Sequence, residues 1–341
     1  MIPEARTDSR QPVSLASNQP AERFYRGGAK IREFRSPSRI VAADERVPED
    51  WVASTTTVFG EAEIGLTRLP SGDLLRDAIA ADPLAWLGEA HVARFGADAK
   101  LLVKLLDAGE RLPVHIHPSN IFAQEHVGAA HGKAEAWYIL EGGTVHLGFC
   151  RSVGEAELAE WVQSQNVEAL LGAMHQVEVS AGDSVYIPPG LPHAIGAGVF
   201  IVEVQEPEDL SILLEFKDFA IDGLRFGHLG LGFSTALKAT DRSSWSPGQI
   251  DGLVVHRGTG ENTLAPAAAE YFRAELHGAS GELIMGAGFS TLVILAGAGE
   301  LIAANGIRLS VQAGETVLTP FAAGELTVEG QVEFLRCRPP R

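Results

Sequence analysis

The sequence has only two cysteines, Cys150 and Cys337, and no CxxC pair in its 341 residues. It does not read as a disulfide framework, and it predicts two free thiols in a reducing cytoplasm. No apolar run approaches the ~20 residues that span a bilayer, so no membrane partner is expected. The opening stretch MIPEARTDSRQPVSLASNQPAE is polar and lacks the apolar core of a secretory signal. Residues 1–22 are expected to be a polar tail, or an arm laid over a domain. Basic residues are scarce: 27 Lys and Arg against 44 Asp and Glu give a formal charge of −17, with no basic stripe. That argues against nucleic acid as a partner. Such an acidic chain does not attract anions at long range, so any phosphate group would need a locally basic pocket.

What is present is the composition of a globular protein, 45% hydrophobic with a mean hydropathy of +0.07. The length allows one large core or two moderate ones and favours two. Short runs rich in β-branched and aromatic residues, separated by turn residues, predict strands over 101–106, 135–141, 144–149, 176–180, 183–188 and 200–206. Strands this short and regular point to a sandwich or barrel. Two stretches repeat. AGDSVYIP at 181 returns as AGETVLTP at 313, an offset of 132; YILEGGTV at 138 returns as VILAGAGE at 293, an offset of 155. The offsets differ by 23, so the first copy carries an insertion. Residues 151–174 supply it: Ser152 and Glu155 suggest a capping box, and Leu158, Trp161 and Val162 an apolar helix face. Further helices are expected on either side of Asp82–Pro83.

The expected architecture is therefore mainly β, with two barrels, a helical insertion and some N-terminal helices. The boundaries are a tail at 1–22, a first barrel at 23–225, a connector at 226–250 and a plainer second barrel at 251–341.

The chemistry concentrates in VHIHPSN, GKAEAWYILEGG and AGDSVYIPPGLPHAIG. On a strand, His115 and His117 stand at i and i+2 and face the same side. Glu135 opens the next strand, and His193 follows a PPG turn that re-aims the chain. Singly, each is more often a core or surface residue. In this order, with strands between, they predict one divalent ion held by His115, His117, Glu135 and His193. Imidazole and carboxylate donors suit Zn, and related sets hold Fe, Mn or Ni.

The order of these elements resembles the cupin superfamily, whose barrels are jelly rolls. More narrowly, LLVKLLDAGERLPVHIHP, GKAEAWYIL and GDSVYIPPGLPHAIGAGVFIVEVQE resemble the type I phosphomannose isomerases, specifically over 100–206 and loosely from about Phe24 to the end. That resemblance implies interconversion of mannose 6-phosphate and fructose 6-phosphate with one zinc, held in the pattern QxHP…KxE…PH. His117, Glu135 and His193 match three ligands; His115 stands where the family has Gln, giving a His3Glu set also found in cupin oxygenases. Lys133 matches the lysine before the glutamate, a candidate for polarising the substrate or assisting proton transfer. Glu203 matches a strand glutamate, a candidate acid/base. Leu213 stands where the family carries an arginine, and Leu cannot clamp a phosphate or steady an enediolate; Lys217 and Arg225 are the nearby cations. At the second-copy offsets, Ser290 replaces Glu135, Glu325 replaces His193, and Glu270 and Phe272 replace the HxH pair, so no ligand set remains there.

The resemblance thus implies an aldose–ketose isomerase working through a cis-enediol on a sugar or sugar phosphate, as a monomer or homodimer. Two other classes stand beside it: a cupin oxygenase or other metalloenzyme using the His3Glu set, and a sugar-binding cupin without turnover.

Overall fold

The computed structural model describes residues 7–35, 46–261 and 263–341. The first six residues of the expected tail lie outside them. Among the described residues there are seventeen strands, in chain order β1 Val13–Leu15, β2 Glu49–Val52, β3 Leu102–Asp107, β4 His115–Ile116, β5 Glu135–Glu141, β6 Gly143–Phe149, β7 Met174–Val179, β8 Ser184–Ile187, β9 His193–Ile195, β10 Phe200–Gln205, β11 Ile212–Leu213, β12 Val254–Val255, β13 Arg273–Met285, β14 Ser290–Ile302, β15 Arg308–Gln312, β16 Thr316–Thr319 and β17 Leu326–Arg338. They build three antiparallel sheets. One runs β12-β8-β5-β10-β3-β2, a second β11-β4-β9-β6-β7, and the third β1-β16-β14-β17-β13 with β15 beside β14. The chain is mainly β, as its alternating runs require.

Strands β3, β5 and β10 are buried over almost all their length, so each reads as a near-continuous apolar run. The charged exceptions inside β3 and β10, Lys104 and Glu203, are direct cross-strand partners. Both belong to the face that forms the cavity described below.

The repeat is visible in strand register. Trp137 pairs with Val185 and Glu135 with Ile187; 155 and 132 residues on, Leu292 pairs with Val317 and Ser290 with Thr319. The irregularity in β5 after Ile139 recurs in β14 after Ile294. The strands themselves differ. In the second copy β13, β14 and β17 each run for 13 residues, where the first copy breaks its path into shorter strands. Gly281, Gly330 and Gly299 stand side by side across these three strands. A Cβ on Gly330, whose φ is +126°, would lie 2.7 Å from Gly299 Cα, so this row accepts only glycine.

The offset arithmetic needs correcting for ligand positions. His193 pairs with Leu147 and with His115; the matching pairs in the third sheet are Thr327 with Ile302 and with Ile284. Thr327, not Glu325, stands in for His193, and Ile284 for His115. For His193 the slip comes from the connection after β16, two residues longer than the connection after β8.

The insertion folds as helices Glu155–Ser164 and Val167–Gly172. The expected capping box is displaced by two residues: Gly154 is the cap, and its N–H donates to the Glu157 carboxylate at 3.3 Å. Leu158, Trp161 and Val162 are buried as expected, with the Trp161 ring edge-on to Phe149 at 6.4 Å. Burying the aliphatic side chains of Leu158 and Val162 is worth about 1.5–3 kcal/mol each. Helices Leu75–Ala81, Pro83–Leu87 and Glu89–Phe95 form around Asp82, whose carboxylate accepts from the Ala85 N–H at 3.1 Å. Strand β1 lies antiparallel on β16. Both cysteines are free, Cys150 exposed and Cys337 buried. No described helix is long and apolar enough to cross a membrane.

Candidate metal centre and catalytic cavity

Strands β4 and β9 meet through the His115–His193 pair, and His117 follows β4 directly. Their rings lie 4.1 to 4.9 Å apart by centroid, and one donor atom from each falls within 4.8 Å of the others. Each imidazole is held from behind. Nδ1 of His115, His117 and His193 donates to the carbonyls of Pro113, Leu210 and Leu191 at 2.8, 2.7 and 2.8 Å. A carbonyl only accepts, so each Nδ1 carries the proton and each Nε2 offers a lone pair.

Glu135 comes from the other sheet. Its Oε2 lies 3.0 Å from His117 Nε2 and its Oε1 3.3 Å from His193 Nε2. These are lone pairs facing lone pairs, in a site where all four residues are buried. His193 Nε2 has no hydrogen-bond partner at all. Such a convergence of acceptors, of which Lys133 supplies a hydrogen to His117 Nε2 and Glu135 Oε2 but not to His193 Nε2, fits a cation. Burial, then the neighbouring His193 and His117, holds His115 well below its ordinary value; burial and the Lys133 ammonium bring His117 down to about 4. Both are neutral at pH 7, as metal ligation requires. Three imidazoles form the tight group and the carboxylate borders it, so the structure brings together all four sequence-predicted ligands.

Lys133 Nζ donates to Glu135 Oε2 at 2.5 Å and to His117 Nε2 at 3.0 Å, and lies 3.4 Å from Glu203 Oε1. Burial works against its charge, but Glu135 and Glu203 raise its pKa, so it stays an ammonium. Glu203 Oε1 lies between Lys133 and Lys104, at 3.4 and 3.5 Å, without hydrogen-bond geometry to either. Burial lifts its pKa above the ordinary carboxylate value, with Lys133 pulling the other way.

Sequence reasoning missed several neighbours. Trp137 Nε1 donates to Glu135 Oε1 at 2.9 Å. Lys104 sits 3.5 Å from Glu49 and 4.7 Å over the Trp51 ring. Glu49 also accepts from Tyr25 at 2.6 Å, Trp51 at 2.7 Å and Arg23 at 3.0 Å, and Arg23 reaches Asp209 at 3.4 Å. A lone lysine inside LLVKLL was a readable signal for Lys104; nothing local marks Arg23, Glu49 or Asp209.

Of these groups, Arg23, Tyr25, Glu49, Lys104, His115, Lys133, Glu135, Glu203 and Asp209 line one cavity of about 700 Å³. Its lining includes Arg23, Lys104, Lys133 and Arg225 against Glu49, Glu61, Glu135, Glu203 and Asp209, a formal charge of −1. A dication would turn that to +1, a cavity able to receive an anionic sugar. Leu213 is buried in the wall, and its N–H donates to the Gly227 carbonyl at 2.8 Å. That bond holds helix Gly223–Phe226, and with it Arg225, against the place where the resemblance expects an arginine. Arg225 lines the cavity, exposed at its edge and stacked 4.8 Å from the Phe226 ring; Lys217 is exposed and does not line it.

No protein-family model matches the chain. Among curated proteins it is 37% identical over 136 residues to "Mannose-6-phosphate isomerase" of Streptococcus mutans, covering 38% of this chain and 42% of that one. Over nearly full length, 93% of this chain and 96% of the relative, it is 28% identical to "Probable mannose-6-phosphate isomerase GmuF" of Bacillus subtilis. Mannose-6-phosphate isomerase ManA of the same organism is 29% identical over 69% of this chain and 73% of its own. The fold matches solved structures: mannose 6-phosphate isomerase from Bacillus subtilis at a TM-score of 0.69 and 20% identity, covering 96% and 99% of the two chains. A mutant of phosphomannose isomerase from Salmonella typhimurium matches at 0.72 and 17%, covering 97% and 100%. In sequence over nearly its full length, and in fold, this chain is similar to mannose-6-phosphate isomerases.

Proposed function

We propose that this protein is a metal-dependent aldose–ketose isomerase that interconverts mannose 6-phosphate and fructose 6-phosphate, or a closely related sugar pair, through a cis-enediol. The observation that carries this reading is one cavity lined together by His115 and Glu135 of the donor cluster, the Glu203 carboxylate and the Lys104 and Lys133 ammonium groups, with the His117 and His193 rings packed against His115. His115, His117, His193 and Glu135 would hold the ion, zinc by the donor set, with Fe, Mn or Ni compatible. When bound, a divalent ion supplies polarisation of the sugar carbonyl and fixes its hydroxyls.

The chain's own residues do the rest. Glu203 is the base for the proton moved between C1 and C2. Its free Oε1 is available to a C–H, and its raised pKa brings it nearer the working pH. Lys133, which stays charged, donates a hydrogen bond to the developing oxyanion. Lys104 keeps Glu203 placed. Arg225 takes the phosphate at the cavity edge, where the family arginine is replaced by Leu213. The same reading makes the protein a cytoplasmic monomer or homodimer without nucleic-acid or membrane partners. It assigns residues 23–225 to a metal-binding cupin barrel with the 151–174 insertion, 226–250 to a connector, and 251–341 to a second barrel that supplies structure.

Metal analysis of the purified protein, followed by proton exchange at C2 of mannose, fructose and their 6-phosphates, tests it. Bound metal with exchange in the phosphorylated pair is expected. No exchange with any of the four sugars removes the isomerase reading; activity that needs O₂ replaces it with an oxygenase.

A further inference from the structure

The chain is strongly acidic, yet far from the catalytic cavity it gathers arginines. Arg273 and Arg338 are cross-strand partners on β13 and β17, and Arg336 stands opposite Glu275 in the same pair of strands. Like charges placed directly opposite each other destabilise a sheet. Glu275 is the one carboxylate shared among them: its Oε1 lies 3.4 Å from Arg338 and 3.8 Å from Arg273, and its Oε2 3.3 Å from His277. Burial and the nearby Arg338 depress both Arg273 and Arg336 to about 10, so their charges are not fully compensated.

In front of these residues lies a cavity of about 210 Å³. Arg94, Arg273, Arg338, Arg341 and His91 line it, and among the described residues no Asp or Glu does. Arg338 Nε is buried without a hydrogen-bond partner. Gly288 makes room for that guanidinium: a Cβ there would meet Arg338 Nη2 at 2.7 Å. Some charge is answered from outside the cavity. Arg341 pairs with Glu261, and Arg94 donates to the Arg341 carbonyl. The lining shares no residue with the catalytic cavity.

We propose that this cavity is a second ligand site, which binds an oxyanion through Arg94, Arg273 and Arg338: a phosphate group, free or esterified to a small metabolite. Guanidinium groups match phosphate oxygens with paired N–H donors, and several guanidiniums converging on a cavity that no described Asp or Glu lines, with Glu275 behind them, provide the basic pocket that an acidic chain needs. A neighbouring cavity of about 300 Å³ shares Arg94, Arg273, Pro340 and Arg341 and adds Leu264, Pro266 and Phe272. It offers space for the organic part of an ester. Its acids, Glu261, Glu270 and Glu275, keep the anion itself in the arginine-lined cavity.

The test is calorimetric titration of the full chain with inorganic phosphate and, separately, phenyl phosphate. The Arg225→Ala variant is titrated alongside, to remove phosphate binding at the catalytic cavity. Saturable binding that survives Arg225→Ala and weakens by about tenfold or more in Arg94→Gln and Arg338→Gln is expected. Tighter binding of phenyl phosphate assigns the site to phosphate esters, and tighter binding of inorganic phosphate to the free ion. Should Arg338→Gln fold poorly, Arg94→Gln alone decides, because Arg94 is exposed. Unchanged affinity in the arginine variants, or no binding beyond that lost in Arg225→Ala, overturns the proposal. Neither result depends on whether the protein isomerises sugars.

Discussion

The indole N–H of Trp137 donates to Glu135 Oε1 at 2.9 Å, so a residue two places along β5 fixes the carboxylate beside the three imidazoles. The Trp137 ring also lies 5.7 Å from that of His193. Trp137→Phe keeps a smaller apolar ring at this buried position and removes the donor. Metal affinity is expected to fall by ~10–100-fold, the usual cost of losing an outer hydrogen bond to a ligand. Competition with a chromogenic chelator measures it, and an unchanged affinity would show that Glu135 needs no such restraint.

His193 has the plainest role in the proposed centre. His193→Ala should purify with little or no metal while keeping its β-sheet circular dichroism. Metal content equal to that of the parent protein would count against the ligand assignment.

Glu203→Gln removes the base but keeps size and hydrogen-bonding atoms. Loss of a positioned general base costs ~10²–10⁴-fold. Proton exchange at C2 should fall by that order while metal content stays whole. If exchange persists, the proton is carried by another group, and Lys104 is the neighbour to examine next.

Arg225 is exposed and outside the buried charge network, so Arg225→Ala should fold normally. KM for mannose 6-phosphate is expected to rise about tenfold, the worth of one charged hydrogen bond to phosphate, with little change for mannose itself. Equal effects on both sugars would place the phosphate elsewhere.

Glu275 bears on stability. Burial pushes its carboxyl up, but His277 and the arginines more than reverse this, taking it from 4.5 to about 2. A carboxyl depressed on folding stabilises above its unfolded value, and the gain is lost as pH falls through 4.5 toward 2. Glu275→Gln lacks that gain, so the difference in Tm between parent and variant should narrow between pH 6 and about pH 3.5. A constant difference would mean that the arginines do not hold Glu275 ionised.

Much of this was legible in the residues. The run EAWYILE predicts a strand over 135–141, and β5 occupies those positions. The paired offsets of 132 and 155 anticipate the shared register of β5/β8 and β14/β16. Spacing failed where geometry is not periodic. The capping box was misplaced because Ser152 and Gly154 precede the helix equally well in a pattern, and only the Gly154 N–H reaches a glutamate. Glu325 is misplaced by the constant offset because the connection between β16 and Thr327 of β17 is two residues longer than that between β8 and His193 of β9.

The sequence by itself determined the donor types, their order along the chain and the strands that carry them, because strand periodicity and turn chemistry are local properties. Only the tertiary structure decided that Arg23, Glu49, Lys104 and Asp209 share a cavity with the predicted site, and that Arg225 sits beside Leu213. Those partners are separated by long stretches of chain. What joins them is sheet pairing and the need of each buried charge for an opposite one, and neither leaves a mark in any short stretch of residues.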